Sequence, residues 1–127
     1  MSEKVLNPVG WFEIPVTDMA RAKTFYEKVF GFKLVDNEDL GFKMAFFPAH
    51  MDVPGAPGSL VMADAETPPG HGTVVYFTAP DIDAHLGRAR AQGGEVVMEK
   101  TAIGEWGFIG MIKDTEGNVI GLHSRIG

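Results

Sequence analysis

The chain has 127 residues, 45% hydrophobic and 22% charged, with a formal net charge of −6 and no cysteine. That balance suits one globular domain with its own core, and the lack of cysteine excludes disulfides, thiolate metal sites and cysteine nucleophiles. The acidic surplus argues against phosphate backbones, and no apolar run approaches the ~20 residues needed to cross a bilayer, so neither nucleic acid nor a membrane is expected as a partner.

Met1-Ser2-Glu3-Lys4 lacks a basic stretch followed by an apolar segment, so no signal peptide and a cytoplasmic location are expected. Gly10 to Val16 alternates as a strand does. Thr17-Asp18 supplies a helix N-cap. Met19, Ala22, Phe25, Tyr26 and Val29 then recur at helical spacing as one apolar face. Gly31 ends that helix. Phe32 to Val35 begins a second strand and Phe42 to Phe47 forms a third. After a Pro/Gly-rich loop from Pro48 to Gly58, Ser59 to Ala63 forms a fourth.

The same order returns. Thr73 to Ala79 reads as a strand, and Pro80-Asp81 opens a helix with Ile82, His85, Leu86 and Ala89 on one face. Gly93-Gly94 stops it. Glu95 to Glu99 and Phe108 to Lys113 are strands, Asp114 to Gly117 is a turn, and Asn118 to Ser124 closes the chain. The first parts of the halves match at a constant offset of 63, with Asp18 on Asp81, Gly31 on Gly94 and Glu13 on Tyr76. The plan is βαβββ twice. It predicts a single α+β domain over 1–127, built by duplication from modules 9–63 and 73–124.

Phe12 to Tyr26 followed by Gly31-Phe32-Lys33-Leu34 resembles the opening of the glyoxalase/bleomycin-resistance/extradiol-dioxygenase proteins, the vicinal oxygen chelate superfamily. Ala79 to Ala84 resembles that family's mid-chain strand-to-helix junction. Asp114 to Leu122 resembles its closing hairpin. The resemblance implies paired βαβββ modules whose curved mixed sheets form a cavity, with helices outside, and a homodimer. In metal-dependent members it implies ligands at positions that here hold Trp11, Val74, Gly121 and either Leu60 or Met62. None of these side chains suits a hard or borderline divalent cation. No metal and no cofactor is therefore expected.

Alternation along the strands gives a second view of the same region. Phe12, Ile14 and Val16, with Val75, Phe77 and Ala79, form uniformly apolar faces that should pack beneath the helices. Trp11, Glu13, Tyr76 and His123 fall on the mixed faces and are expected to line the cavity. A carboxylate, a phenol and an imidazole there could do acid/base work or anchor a ligand in an apolar pocket. Trp106 and Phe108 are further expected ligand contacts, with Glu105 and Trp106 at the rim. Met44, Met51 and Met62 could form a plastic wall. His50 and His71 lie in loops and read as surface residues, His85 as a packing or interface residue. The stretch Gly104 to Phe108 lacks the Lys and the strand-to-helix setting of a phosphate loop.

These residues point first to a metal-independent protein that binds a small organic ligand, cationic or aromatic, and resembles the bleomycin-resistance branch. Two alternatives stand beside it. One is a glyoxalase-like lyase or isomerase using Glu13 and His123 as catalytic groups, with or without a displaced metal. The other is a non-catalytic interaction protein.

Overall fold

The computed structural model describes residues 7–50, 52–62 and 72–125, so Met51, Ala63 and His71 lie outside the described residues. The order of elements is the βαβββ plan twice, with one short 3-10 turn added. The chain divides into two compact units. One is Trp11–Val74; the other joins the stretch ending at Gly10 to everything from Val75 onward.

In the first module β1 (Val9–Val16), α1 (Met19–Phe30), β2 (Val35–Asn37), β3 (Met44–Phe46) and β4 (Gly58–Met62) follow one another. The strand order is β2-β3-β4-β1. β1 runs parallel to β4, and β3 lies antiparallel to both β4 and β2. A parallel pair needs a long crossover, which α1 and the β2–β3 hairpin supply. Asp18 caps α1 by accepting from the Arg21 amide at 3.0 Å. Gly31 closes it in the left-handed conformation, φ 76°, which costs a residue without Cβ nothing.

The first core joins Val16, Leu34, Ala45 and Leu60, with Ile14, Met19, Ala22, Tyr26, Phe32 and Phe47 against it. Each fully buried side chain of this size contributes about 1.5–3 kcal/mol. The helix packs on a narrower stripe than the sequence pattern suggests. Met19, Ala22 and Tyr26 face the sheet, while Phe25 and Val29 remain 59% and 56% exposed. At about 100° per residue, Phe25 is turned off the stripe centred on Tyr26 and meets only that ring's edge, at 5.3 Å.

β2 begins three residues later than its sequence suggests. The Glu27 carboxylate reaches back from α1 and accepts the Leu34 amide at 2.8 Å. That amide is withdrawn from strand pairing, and Phe32 drops into the core instead. Lys23 on α1 then holds Asp36 of β2 at 2.7 Å.

In the second module β5 (Val74–Thr78), α2 (Ile82–Ala91), β6 (Glu95–Ala102), β7 (Phe108–Lys113) and β8 (Val119–Ser124) repeat the plan. The strand order is β5-β8-β7-β6. β5 is parallel to β8, and β7 is antiparallel to β8 and β6. Asp81 caps α2 by accepting the Ala84 amide at 3.1 Å. Ile82 and Leu86 bury themselves with Ala79 and Leu122. β6 runs three residues beyond Glu99, because two register shifts against β7 break the alternation that would have marked it.

Candidate functional site

Strand parity decides which side chains α1 does not cover. Val16, Ala45 and Leu60 point to the helix core, so their immediate neighbours point away from it. Glu13 pairs with Ser59 across β1 and β4, and Phe46 pairs with Ser59 across β3 and β4. The three residues therefore form one row on the face opposite α1. Trp11 shares that face, two residues before Glu13 on β1.

These side chains are linked. The Trp11 indole N–H donates to Glu13 Oε2 at 3.2 Å. Its ring meets Phe46 edge-on, with centroids 5.5 Å apart and planes at 80°. β1 and β3 flank β4, so their backbones lie about 10 Å apart. The two rings can touch only by reaching over the strand that carries Ser59. Ser59 is fully buried, and its hydroxyl finds no hydrogen-bond partner among the described residues. A buried hydroxyl left in that state costs about 1–3 kcal/mol.

In the second module Tyr76 pairs with Gly121 across β5 and β8. A Cβ on Gly121 would come within 2.3 Å of the Tyr76 ring. The ring thus lies over that glycine, and Tyr76 is buried. His123, further along β8 on the same face, places Nε2 2.7 Å from the Trp106 carbonyl oxygen. A carbonyl can only accept, so Nε2 carries the proton and donates, and Nδ1 keeps the basic lone pair. The 3-10 turn Gly104–Trp106 positions that carbonyl.

Residues 9–122 match the family model of the Glyoxalase/Bleomycin resistance protein/Dioxygenase superfamily. The chain belongs to this superfamily. CFP32 of Mycobacterium tuberculosis, provisionally named a glyoxylase, is 30% identical over 119 residues; the match takes 89% of this chain and 44% of CFP32. The chain therefore spans less than half the length of that relative. A glyoxylase-like domain-containing protein of Didymella fabae is 28% identical over 123 residues, 94% of each chain. Among solved structures, methylmalonyl-CoA epimerase from Mycobacterium tuberculosis superposes with a TM-score of 0.67 at 23% identity, over 98% of this chain and 91% of that one. A methylmalonyl-CoA epimerase in complex with methylmalonyl-CoA and NH4+ gives 0.67 at 21% identity, over 94% of this chain and 95% of that one. The α+β superfamily fold expected from the paired βαβββ modules is thereby established.

Membership raises the superfamily's metal, and this chain's donors do not fit it. Tyr76 pairs with Gly121 as Glu13, its counterpart at the offset of 63, pairs with Ser59. The register thus gives Ser59, not Leu60 or Met62, as the first module's counterpart of Gly121. Leu60 points into the helix core. Trp11, Val74, Gly121 and Ser59 offer one weak hydroxyl donor between them, and the Tyr76 ring takes the space of any side chain at 121. Among the described residues, no group of three His, Asp or Glu side chains is placed to hold a metal ion.

The remaining candidates fall in other places. Phe108, expected among the ligand contacts, packs against the helix-side core of its module, with the Lys100 ammonium 4.8 Å above its ring. It pairs with Ser124, one residue out of phase with His123; both faces of β7 are apolar, so its sequence does not reveal the difference. His85 donates Nδ1–H to the Asp81 carbonyl at 2.7 Å within α2. His50 is exposed, and Met44 is buried on the same face as Phe46. Ser59 was missed altogether. A small polar residue between Gly58 and Leu60 in an otherwise apolar strand was its one signal.

Proposed function

We propose that this superfamily member is a metal-independent binder of a small organic molecule, of the kind the bleomycin-resistance branch exemplifies. Glu13 anchors a ligand that carries positive charge or N–H donors, and Trp11 supplies a flat contact. The observation that carries this reading is the Trp11–Glu13–Ser59–Phe46 arrangement, a half-buried carboxylate set among aromatic rings. The solved relative holding a coenzyme A ester supports the broader class of small organic ligands. The carboxylate and the net charge of −6 favour a cation over a polyanion of that type. Tyr76, Trp106 and His123 are assigned as the second module's contacts.

We further take the working form to be a homodimer. Phe25, Val29 and Phe30 on α1, each more than half exposed, leave apolar surface for a second copy. Sedimentation at micromolar concentration yielding only a 13.8 kDa species contradicts this part.

The test of the binding reading is a ligand screen by calorimetry, repeated on Glu13→Gln. Weakening by about 1.5–3 kcal/mol is the expected cost of a lost hydrogen bond to a charged group. Unchanged affinity for every ligand found removes Glu13 as the anchor. Metal analysis of protein purified without added metal accompanies it, and near-stoichiometric zinc, nickel, iron or manganese would replace this reading with a displaced-ligand enzyme.

A second reading, a metal-free lyase or isomerase, is favoured by His123. Its ring is fixed by the Trp106 carbonyl so that Nδ1 is the basic nitrogen. Turnover abolished in His123→Gln and in Glu13→Gln would support it over simple binding.

A further inference from the structure

We infer that the Ser59 hydroxyl is the deep end of the ligand subsite and takes the ammonium group of an arylalkyl amine, an inference that rests on the Glu13 binding reading above. The starting point is the buried hydroxyl without a partner. A serine there is the worse choice for folding alone, since alanine fills nearly the same space without a polar atom to satisfy. Its neighbours show what would satisfy it. A hydroxyl accepts as well as donates, and the residue beside it across the strand pair is a carboxylate, Glu13. A carboxylate repels an anionic head group and attracts a cation with N–H donors. The rings of Trp11 and Phe46, which meet over the same strand, offer π faces to such a cation and flat contact to an aryl tail.

The same arrangement provides the way in. Ser59 is covered, and Trp11 is tethered over β4 by its N–H bond to Glu13 at 3.2 Å, the long end of the normal range. An ammonium ion forms a stronger, charge-assisted bond to that carboxylate than a neutral indole does. A cation that takes Glu13 therefore displaces the tether, and Trp11 swings aside and uncovers the hydroxyl. An anion has no means of releasing it. Selection by charge is thus built into access as well as into the contact.

The probe pair is phenethylammonium and 3-phenylpropionate, similar in shape and opposite in charge. They are titrated into the unaltered full chain by calorimetry and by tryptophan fluorescence, with Trp11→Phe identifying the part of the signal that belongs to Trp11. Phenethylammonium should bind and change Trp11 emission, with the acid at least about tenfold weaker. Ser59→Ala should weaken the amine by about fivefold or more, the worth of one hydrogen bond, while its melting temperature stays equal or rises. Amine binding that survives Ser59→Ala unchanged but falls in Glu13→Gln overturns the Ser59 subsite and leaves the binding reading standing. A lowered melting temperature in Ser59→Ala also overturns it, because the hydroxyl then has a structural partner. Equal affinity for the acid overturns the charge selection. Failure of both compounds to bind overturns the subsite, and loss of every screened ligand's dependence on Glu13 overturns the binding reading as well.

Discussion

The ring of Tyr76 occupies the space into which a side chain at position 121 would project, its Cδ2 2.3 Å from the place of a Cβ on Gly121. The contact joins the first and last strands of the second module, β5 and β8, at their paired register. Gly121→Ala should therefore destabilise the protein by about 1–3 kcal/mol, the usual cost of forcing extra volume into a packed site. Gly121→Glu should cost more. Tyr76→Leu, which vacates part of the ring's space, should recover part of the loss, so the two changes combine non-additively. Urea unfolding of the single and double variants measures the coupling, and simple additivity would show that the ring does not guard the position.

Trp11 can be divided into its ring and its N–H. Trp11→Phe keeps an aromatic contact to Phe46 but removes the donor to Glu13. Stability should change by no more than about 1 kcal/mol, the net worth of one part-exposed hydrogen bond. With the tether gone, association of phenethylammonium should become faster. Stopped-flow binding checks this; an unchanged rate means that Trp11 does not control entry.

Glu27 ties the end of α1 to the chain that follows it. Its Oε2 accepts the Leu34 amide at 2.8 Å, and Leu34 is a core residue. Glu27→Ala should lower stability by about 1–2 kcal/mol, as the loss of a charge-assisted bond with some solvent compensation does. The Leu34 amide should also lose hydrogen-exchange protection ahead of the rest of the core. Equal protection in both proteins would assign that amide another partner.

Asp114 predicts a pH dependence. The backbone N–H of Asn118 holds its carboxyl below the usual value, helped by the Asn118 side chain and the Glu116 and Gly117 amides. Oδ1 accepts from Asn118 N at 2.8 Å and from Glu116 N at 2.9 Å. A carboxyl whose folded pKa is depressed contributes stability that is present above its unfolded value, about 3.9, and is lost as pH falls through the lower folded value. Wild type should therefore exceed Asp114→Asn in melting temperature near neutrality, and the gap should narrow as pH falls below about 4. A gap constant down to pH 2 would exclude this carboxyl as its source.

What could be read from the sequence was local. Asp18, Asp81 and Gly31 set the helix ends through bonds within a few residues, and their spacing is visible along the chain. Ile14, Val16, Phe77 and Ala79 alternate cleanly, so the helix-packed faces of β1 and β5 were legible. The register of β4 against β1 was not. It is set by pairing across a long crossover with a Pro/Gly-rich loop in it, and a one-residue slip turns every side chain to the other face. That slip separates Leu60 from Ser59. The side to which Phe108 points was illegible for a related reason, since Phe108, Ile109, Met111 and Ile112 give β7 no polar face to mark its parity. The late start of β2 depended on one long side chain, Glu27, reaching a backbone amide seven residues on.

The glycine beneath Tyr76 also bears on descent. Position 121 is bound to the identity of residue 76, whose ring fills its side-chain space, whereas its counterpart Ser59 keeps a side chain of its own on the face that carries Trp11 and Phe46. Drift at 121 is tolerated only together with a smaller residue at 76, so the pair should covary as folding partners among close relatives. On the binding reading proposed above, change at Ser59 should instead follow the ligand.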